Sequence, residues 1–77
     1  MARQRASEEL ELLQRFGNRL RELRIAREMT QEEVAAAAHF SRSYYTEIET
    51  GKRNISLLNI YKLAKTLDIA LNQILEI

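Results

Sequence analysis

Apolar residues recur along the chain at three- and four-residue steps and nowhere in strict alternation, which is the period of helices rather than strands. Leu13, Phe16, Leu20 and Leu23 form the first such stripe, the buried face of a helix predicted over residues 8–28. It is expected to start near Ser7, with Glu8 and Glu9 in its first turn, where carboxylates meet the positive end of the helix dipole. Gly17 falls inside this element; because glycine there costs about 1 kcal/mol relative to alanine, it points to close packing rather than to a helix end.

After Met29 comes Thr30-Gln31-Glu32-Glu33-Val34, a capping box in which Thr30 accepts from the Glu33 amide and Glu33 reaches back to the Thr30 amide. Met29 and Val34 occupy the two positions of a hydrophobic staple. The staple spacing recurs at Phe40-Ser41 with Tyr45, at Ile55-Ser56 with Ile60, and at Ile69-Ala70 with Ile74, although Ala70 has no side-chain acceptor. Helices are therefore predicted over residues 31–38, 42–50, 57–67 and 70–76, five in all with the first. Proline is absent and the only glycines are Gly17 and Gly51, so hairpin chemistry is missing and the chain reads as all-α. Gly51 stands just past the third helix, where a left-handed C-cap wants it.

A chain of 77 residues supports one domain, because two halves would each lack a core. Residues 1–9 form a lead-in of basic and acidic residues, into part of which helix extends, and residues 10–77 form the folded domain. Hydrophobic residues at 45% and charged ones at 30% are ordinary for a soluble globular chain. With no cysteine and a single histidine, no disulfide or zinc site is expected. No apolar run reaches the length of a membrane span and residues 1–10 lack the apolar centre of a signal peptide, so the expected location is the cytoplasm. No motif spaces a nucleophile, a base and an orienting acid; an enzyme, a cofactor and a small-molecule ligand are not expected.

The net charge of +1 does not by itself argue for nucleic acid, but its distribution is uneven. Residues 1–30 carry seven arginines against five glutamates, residues 31–50 one arginine against four glutamates, and residues 51–77 four basic against two acidic groups. The arginines of the first part (Arg3, Arg5, Arg15, Arg19, Arg21, Arg24, Arg27) read either as a phosphate-facing surface or as the solvated side of a helix salted with glutamates.

The second and third predicted helices are too short to be stable alone and are joined only by His39-Phe40-Ser41, so they must pack on each other. His39 reads as a left-handed turn residue, since histidine is enriched at positive φ and no second His, Cys or carboxylate cluster completes a metal or base site around it. On a wheel of about 100° per residue, Tyr45 and Ile48 of the third helix face inward with Glu49 at their edge. Ser43, Thr46, Glu47 and Thr50 face outward, and Arg42 and Tyr44 flank the first turn. Arginine forks onto guanine O6 and N7, hydroxyls adapt to either kind of base edge, and a threonine methyl meets a thymine methyl. Such a face suits the major groove of DNA.

The stretch from Thr30 to Leu75, TQEEVAAAAHFSRSYYTEIETGKRNISLLNIYKLAKTLDIALNQIL, resembles the helix-turn-helix domain of phage repressors and Cro proteins, the XRE-type regulators. Gln31 opens the second helix, Ala35 is the small residue at the packing point, and Val34, Ala38, Phe40, Tyr45 and Ile48 hold the pair together, as in that family. His39 departs from the family's usual glycine. Within the family, SRSYYTEIETGKRNIS followed by LLNIYKLAKTL is most similar to the controller proteins of restriction-modification systems, small homodimers that bind palindromic boxes and regulate their own gene with that of the endonuclease.

The resemblance implies a five-helix, phage-repressor-like domain whose recognition helix is at about residues 42–50. Gln31, Arg42, Ser43, Tyr44, Thr46 and Glu47 would face a double-stranded DNA operator, and Lys52, Arg53 and Asn54 would hold the backbone beyond the recognition helix. Arg24 and Glu49 match a family pair that braces the scaffold. Leu71, Ile74, Leu75 and Ile77 make the end of the chain too apolar for one short helix to bury, so Ile74 is expected in the core and Leu71 with Ile77 against a second copy. RNA polymerase is a further candidate partner, through the acidic Glu8 to Glu11. The competing readings are an antitoxin or phage-type repressor, which the absence of a tail after Ile77 disfavours for the antitoxin, and a small helical protein-binding domain, against which stands the surplus of Arg42, Lys52 and Arg53 over Glu47 and Glu49.

Overall fold

The computed structural model describes residues 2–77, with side chains from residue 7 onward; the side chains of Arg3 and Arg5 lie outside the described residues. Its elements are α1 (Ala2–Ala26), α2 (Gln31–Ala37), α3 (Arg42–Glu49), α4 (Leu57–Thr66) and α5 (Leu71–Ile74). The described residues contain no strand.

Three helix starts carry the side-chain caps that the sequence places there. Thr30 Oγ1 accepts from the Glu33 amide at 3.0 Å while Glu33 Oε1 accepts from the Thr30 amide at 2.8 Å, which closes the capping box. Ser41 Oγ accepts from the Tyr44 amide at 3.1 Å and Ser56 Oγ from the Asn59 amide at 3.2 Å. At α5 only half of this arrangement exists: Gln73 Oε1 accepts from the Ala70 amide at 2.9 Å, and alanine has nothing to return. That helix is correspondingly short, one turn where the periodicity predicts seven residues.

Helix ends are uniform. α1, α2, α3 and α4 each close with a residue at positive φ: Glu28 at 56°, His39 at 63°, Gly51 at 76° and Asp68 at 55°. In each case the next amide reaches back five residues, as in Met29 N to Arg24 O at 3.2 Å, Phe40 N to Ala35 O at 2.8 Å, Lys52 N to Glu47 O at 2.8 Å and Ile69 N to Ala64 O at 3.0 Å. These are Schellman closures. Met29, Phe40 and Ile69 each follow the left-handed residue and also precede the cap of the next helix, so one half-buried side chain both closes a helix and staples its successor onto the core.

α1 begins about five residues before the expected start at Ser7 and takes in most of the lead-in. Ala2 to Ala6 are good helix formers with no breaker, so Ser7 continues the helix instead of capping it. It ends at Ala26 because Glu28 turns left-handed.

The core gathers Phe16 and Leu20 of α1, Val34, Ala35 and Ala38 of α2, Tyr45 and Ile48 of α3, Leu63, Ala64 and Leu67 of α4, and Ile74 of α5. Leu13 and Leu23 are only half-buried, at the two ends of the α1 stripe. α1 crosses α3 at Gly17, where a Cβ would lie 2.7 Å from Ile48 O and from the Glu49 carbonyl carbon and closer still to Glu49 O. No side chain fits there. Ile74 is fully buried, while Leu71 and Ile77, assigned from sequence to a partner, are half-buried against their own core. Leu75 between them is exposed, and more exposed still are Leu57, Leu58 and Tyr61 on one face of α4.

Candidate nucleic-acid interface

α2 and α3 are held at a fixed angle by the closure at His39 and by Phe40, and α3 turns Tyr45, Ile48 and Glu49 inward. Among the described residues Glu49 is the only buried charged one, at 5% exposure. Its Oε2 accepts from Arg24 Nε at 2.6 Å and from the Tyr45 hydroxyl at 2.5 Å, and its Oε1 accepts from Arg24 Nη2 at 3.2 Å and from Gln31 Nε2 at 3.0 Å. Arg24 also donates to Met29 O at 2.9 Å, so one guanidinium ties α1 to the end of α3 and to the turn before α2.

Burial by itself raises the pKa of Glu49, but hydrogen bonds from Arg24, Tyr45 and Gln31 outweigh it and hold the carboxyl below its ordinary range. The same carboxylate raises the pKa of Arg24, chiefly through their hydrogen bond. Tyr45 is pushed well above its ordinary value, first by burial and then by its bond to Glu49. The three form a charged but fully bonded cluster; among the described residues no buried side-chain polar atom lacks a partner.

This cluster reaches the outer face of α3 through Gln31. Its amide nitrogen meets Glu49 and its carbonyl oxygen accepts from Thr46 Oγ1 at 3.0 Å, so the first residue of α2 lies across the middle of α3. Arg42, Ser43 and Thr50 are exposed, and Thr46 and Glu47 are half-exposed. The outward-facing set therefore forms one surface, with Thr46 partly roofed by Gln31.

Tyr44 is more constrained than a flanking position suggests. Its ring meets Phe40 edge-on at 5.1 Å, its hydroxyl accepts from Asn59 Nδ2 of α4 at 3.0 Å, and the Arg53 guanidinium stacks 5.6 Å from its centroid. Arg53 Nε also donates to Glu47 Oε1 at 2.9 Å. The turn after α3 is thus folded back over α3, bringing Arg53 beside Tyr44 and Glu47; Lys52 and Asn54 stay exposed. Asn59 carries no signal in the sequence: it sits in the first turn of α4, and only the tertiary fold shows that it holds the Tyr44 ring.

The other side of the α3 end carries a polar cleft of about 550 Å³ between α1, α2 and α3, lined by Gln14, Asn18, Arg21, Arg24, Gln31, Glu49 and Thr50. Among the described residues no group of three or more His, Asp or Glu side chains is placed to hold a metal, and no helix is long and apolar enough to cross a membrane. Along α3 and its following turn, Arg42, Ser43, Thr50, Lys52, Arg53 and Asn54 are exposed hydrogen-bonding groups.

Residues 20–74 match the helix-turn-helix family HTH_3. Control protein C.MunI of a Mycoplasma species is 44% identical over 61 residues, which cover 78% of this chain and 82% of that protein. Control protein C.BamHI of Bacillus amyloliquefaciens is 37% identical over 62 residues, covering 79% and 76%. The crystal structure of the restriction-modification controller protein C.AhdI from Aeromonas hydrophila superposes with a TM-score of 0.82 at 46% identity, over 84% of this chain and 94% of that one. The chain belongs to the helix-turn-helix family, as an XRE-type DNA-binding transcriptional regulator similar to restriction-modification controller proteins and not an enzyme.

Proposed function

We propose that the protein is the controller protein of a restriction-modification system, a cytoplasmic regulator that binds a palindromic operator as a homodimer. The observation that carries this reading is the surface of α3: exposed Arg42 and Ser43, half-exposed Thr46 and Glu47, and a basic turn folded beside them, on a scaffold that fixes the helix through Glu49. Arg42 and Ser43 enter the major groove with Tyr44 held at their side, while Lys52, Arg53 and Asn54 meet the phosphates, with Gln31 at the opposite edge. Glu47 and Arg53 neutralise each other in the free protein; on DNA the phosphate replaces Glu47 as the partner of Arg53.

The dimer contact uses apolar surface that one chain leaves uncovered. Leu58 is 73% exposed and Leu57 65%, with Tyr61 one turn on, and this face of α4 adds to the contact assigned to Leu71 and Ile77. Exposed Glu8, Glu9 and Glu11 on α1 remain the surface offered to RNA polymerase.

Two measurements test the reading. A fluorescence titration with generic duplex at low salt should give binding that weakens steeply as salt rises, since phosphate neutralisation releases counterions. Sedimentation equilibrium at tens of micromolar should give a dimer that Leu58→Glu or Leu71→Glu dissociates. A monomer with no affinity for duplex would remove the proposal.

A further inference from the structure

The hydrogen-bonding sense of Thr46 and of Thr50, which follows α3, is set by their neighbours. Glu49 is ionised, so its oxygens accept only, and the Gln31 atom that meets Oε1 at 3.0 Å must be the amide nitrogen. The carbonyl oxygen of Gln31 is thereby turned to Thr46 Oγ1 at 3.0 Å, and a carbonyl oxygen can only accept. Thr46 must therefore supply its single hydroxyl proton to Gln31 and faces outward with lone pairs alone. Thr50 is in the same state, since its Oγ1 donates to Thr46 O at 3.0 Å and to Glu47 O at 3.3 Å. Glu47, as a carboxylate, also accepts only. Arg42, at the other end of the helix, can only donate.

We propose that α3 is polarised into a donor end at Arg42 and an acceptor end at Thr46 and Thr50, and that Thr46 selects a base whose major-groove edge carries an amino group, adenine N6 or cytosine N4. A free threonine hydroxyl rotates to suit either a donor or an acceptor edge. One whose proton is committed sets lone pair against lone pair when it faces guanine O6 or thymine O4, and so rejects them. Glu49 touches no base; it is a positioning residue that fixes the sense of Thr46 through the Gln31 amide. The inference rests on the reading of α3 as a recognition helix and specifies what that helix reads.

The test is a set of parallel selections from a random duplex pool with the full chain as parent and as Thr46→Ser, Thr46→Val and Gln31→Met, each checked for folding by circular dichroism and melting. Parent and Thr46→Ser should favour adenine or cytosine over guanine and thymine at one position per half-site, by roughly three- to tenfold for a single hydrogen bond. Thr46→Val should lose that preference and keep the others. Gln31→Met, which alters no residue of α3 but removes the Gln31 bonds to Glu49 and Thr46 and so frees the Thr46 proton, should flatten the same position, and it decides the matter if valine at 46 prevents folding. A parent preference for guanine or thymine at the Thr46-dependent position overturns the proposal, as does a folded Thr46→Val with every parent preference intact. A folded parent that binds no duplex at low salt overturns the DNA-binding reading itself, a result distinct from either.

Discussion

Arg24 on α1 and Glu49 at the end of α3 are joined at 2.6 Å with side chains only 12% and 2% exposed, so α3 is anchored to the scaffold by a buried ion pair. Removing one partner strands the other. Glu49→Ala should cost about 3 kcal/mol or more, against about 1 kcal/mol or less for an exposed pair such as Arg53 with Glu47. Thermal melting checks this: in a domain of this size each kcal/mol lowers Tm by roughly 4–8 °C, so a Glu49→Ala protein melting within a few degrees of the parent contradicts the burial argument.

The same pair dictates a pH dependence. Glu49 is held below the ordinary carboxylate range when folded, so the stability it contributes is present above the unfolded glutamate pKa of about 4.3 and is lost as pH falls through its lower folded value. Melting curves of the parent should fall as pH drops below about 5, and Glu49→Gln should show a shallower fall over that window, as expected from linkage. Identical pH profiles would place the acid sensitivity in other carboxylates.

His39 closes α2 at a φ of 63°, a conformation that glycine adopts without the strain a Cβ brings. His39→Gly should therefore raise stability, by about 0.5–1 kcal/mol, in a denaturant titration with unchanged slope. Asp68→Gly, at 55°, should act in the same direction. Gly51→Ala should act oppositely and more strongly, because at 76° the added Cβ would also lie 2.8 Å from Gln14 Cγ.

Arg42 and Arg53 should separate specificity from affinity. Arg42 is exposed in the first turn of α3, where a bidentate contact to guanine discriminates by about 1–3 kcal/mol, so Arg42→Ala should flatten one base position per half-site. Arg53→Ala should weaken all duplexes alike and lower the salt slope by about 0.9, the share of the one phosphate it no longer neutralises. Because Arg53 stacks on Tyr44 and pairs with Glu47, a relaxed base preference in Arg53→Ala would instead put its guanidinium at a base edge.

Local chemistry makes much of this fold legible. The caps at Thr30, Ser41 and Ser56 and the closures at His39 and Gly51 need only residues a few positions apart, and each fixes one helix end. Glu28 adopts the same left-handed conformation as His39 but is not of a type that marks it, since the closure there goes with Met29 docking against the core; Asp68, of a type enriched at positive φ as histidine is, is legible in principle. The true start of α1 is hidden because a serine followed by glutamates is a cap only when the residues before it do not favour helix. In the candidate site, the split of α3 into a buried and an exposed side follows from periodicity. The placing of Asn59 under Tyr44, of Arg53 over it, and of Gln31 between Glu49 and Thr46 does not, because each joins separate elements through contacts that only packing creates.

The central claim, a homodimeric helix-turn-helix regulator reading a palindromic operator, is tested most directly by selecting bound sequences from a random duplex pool with the unaltered chain. Two recognition helices related by a two-fold axis enter successive major grooves about 34 Å apart, so the expected consensus is two inverted half-sites whose centres are separated by about 10 base pairs. An enriched single, asymmetric site, or no enrichment from a chain that is folded and binds at low salt, would contradict it.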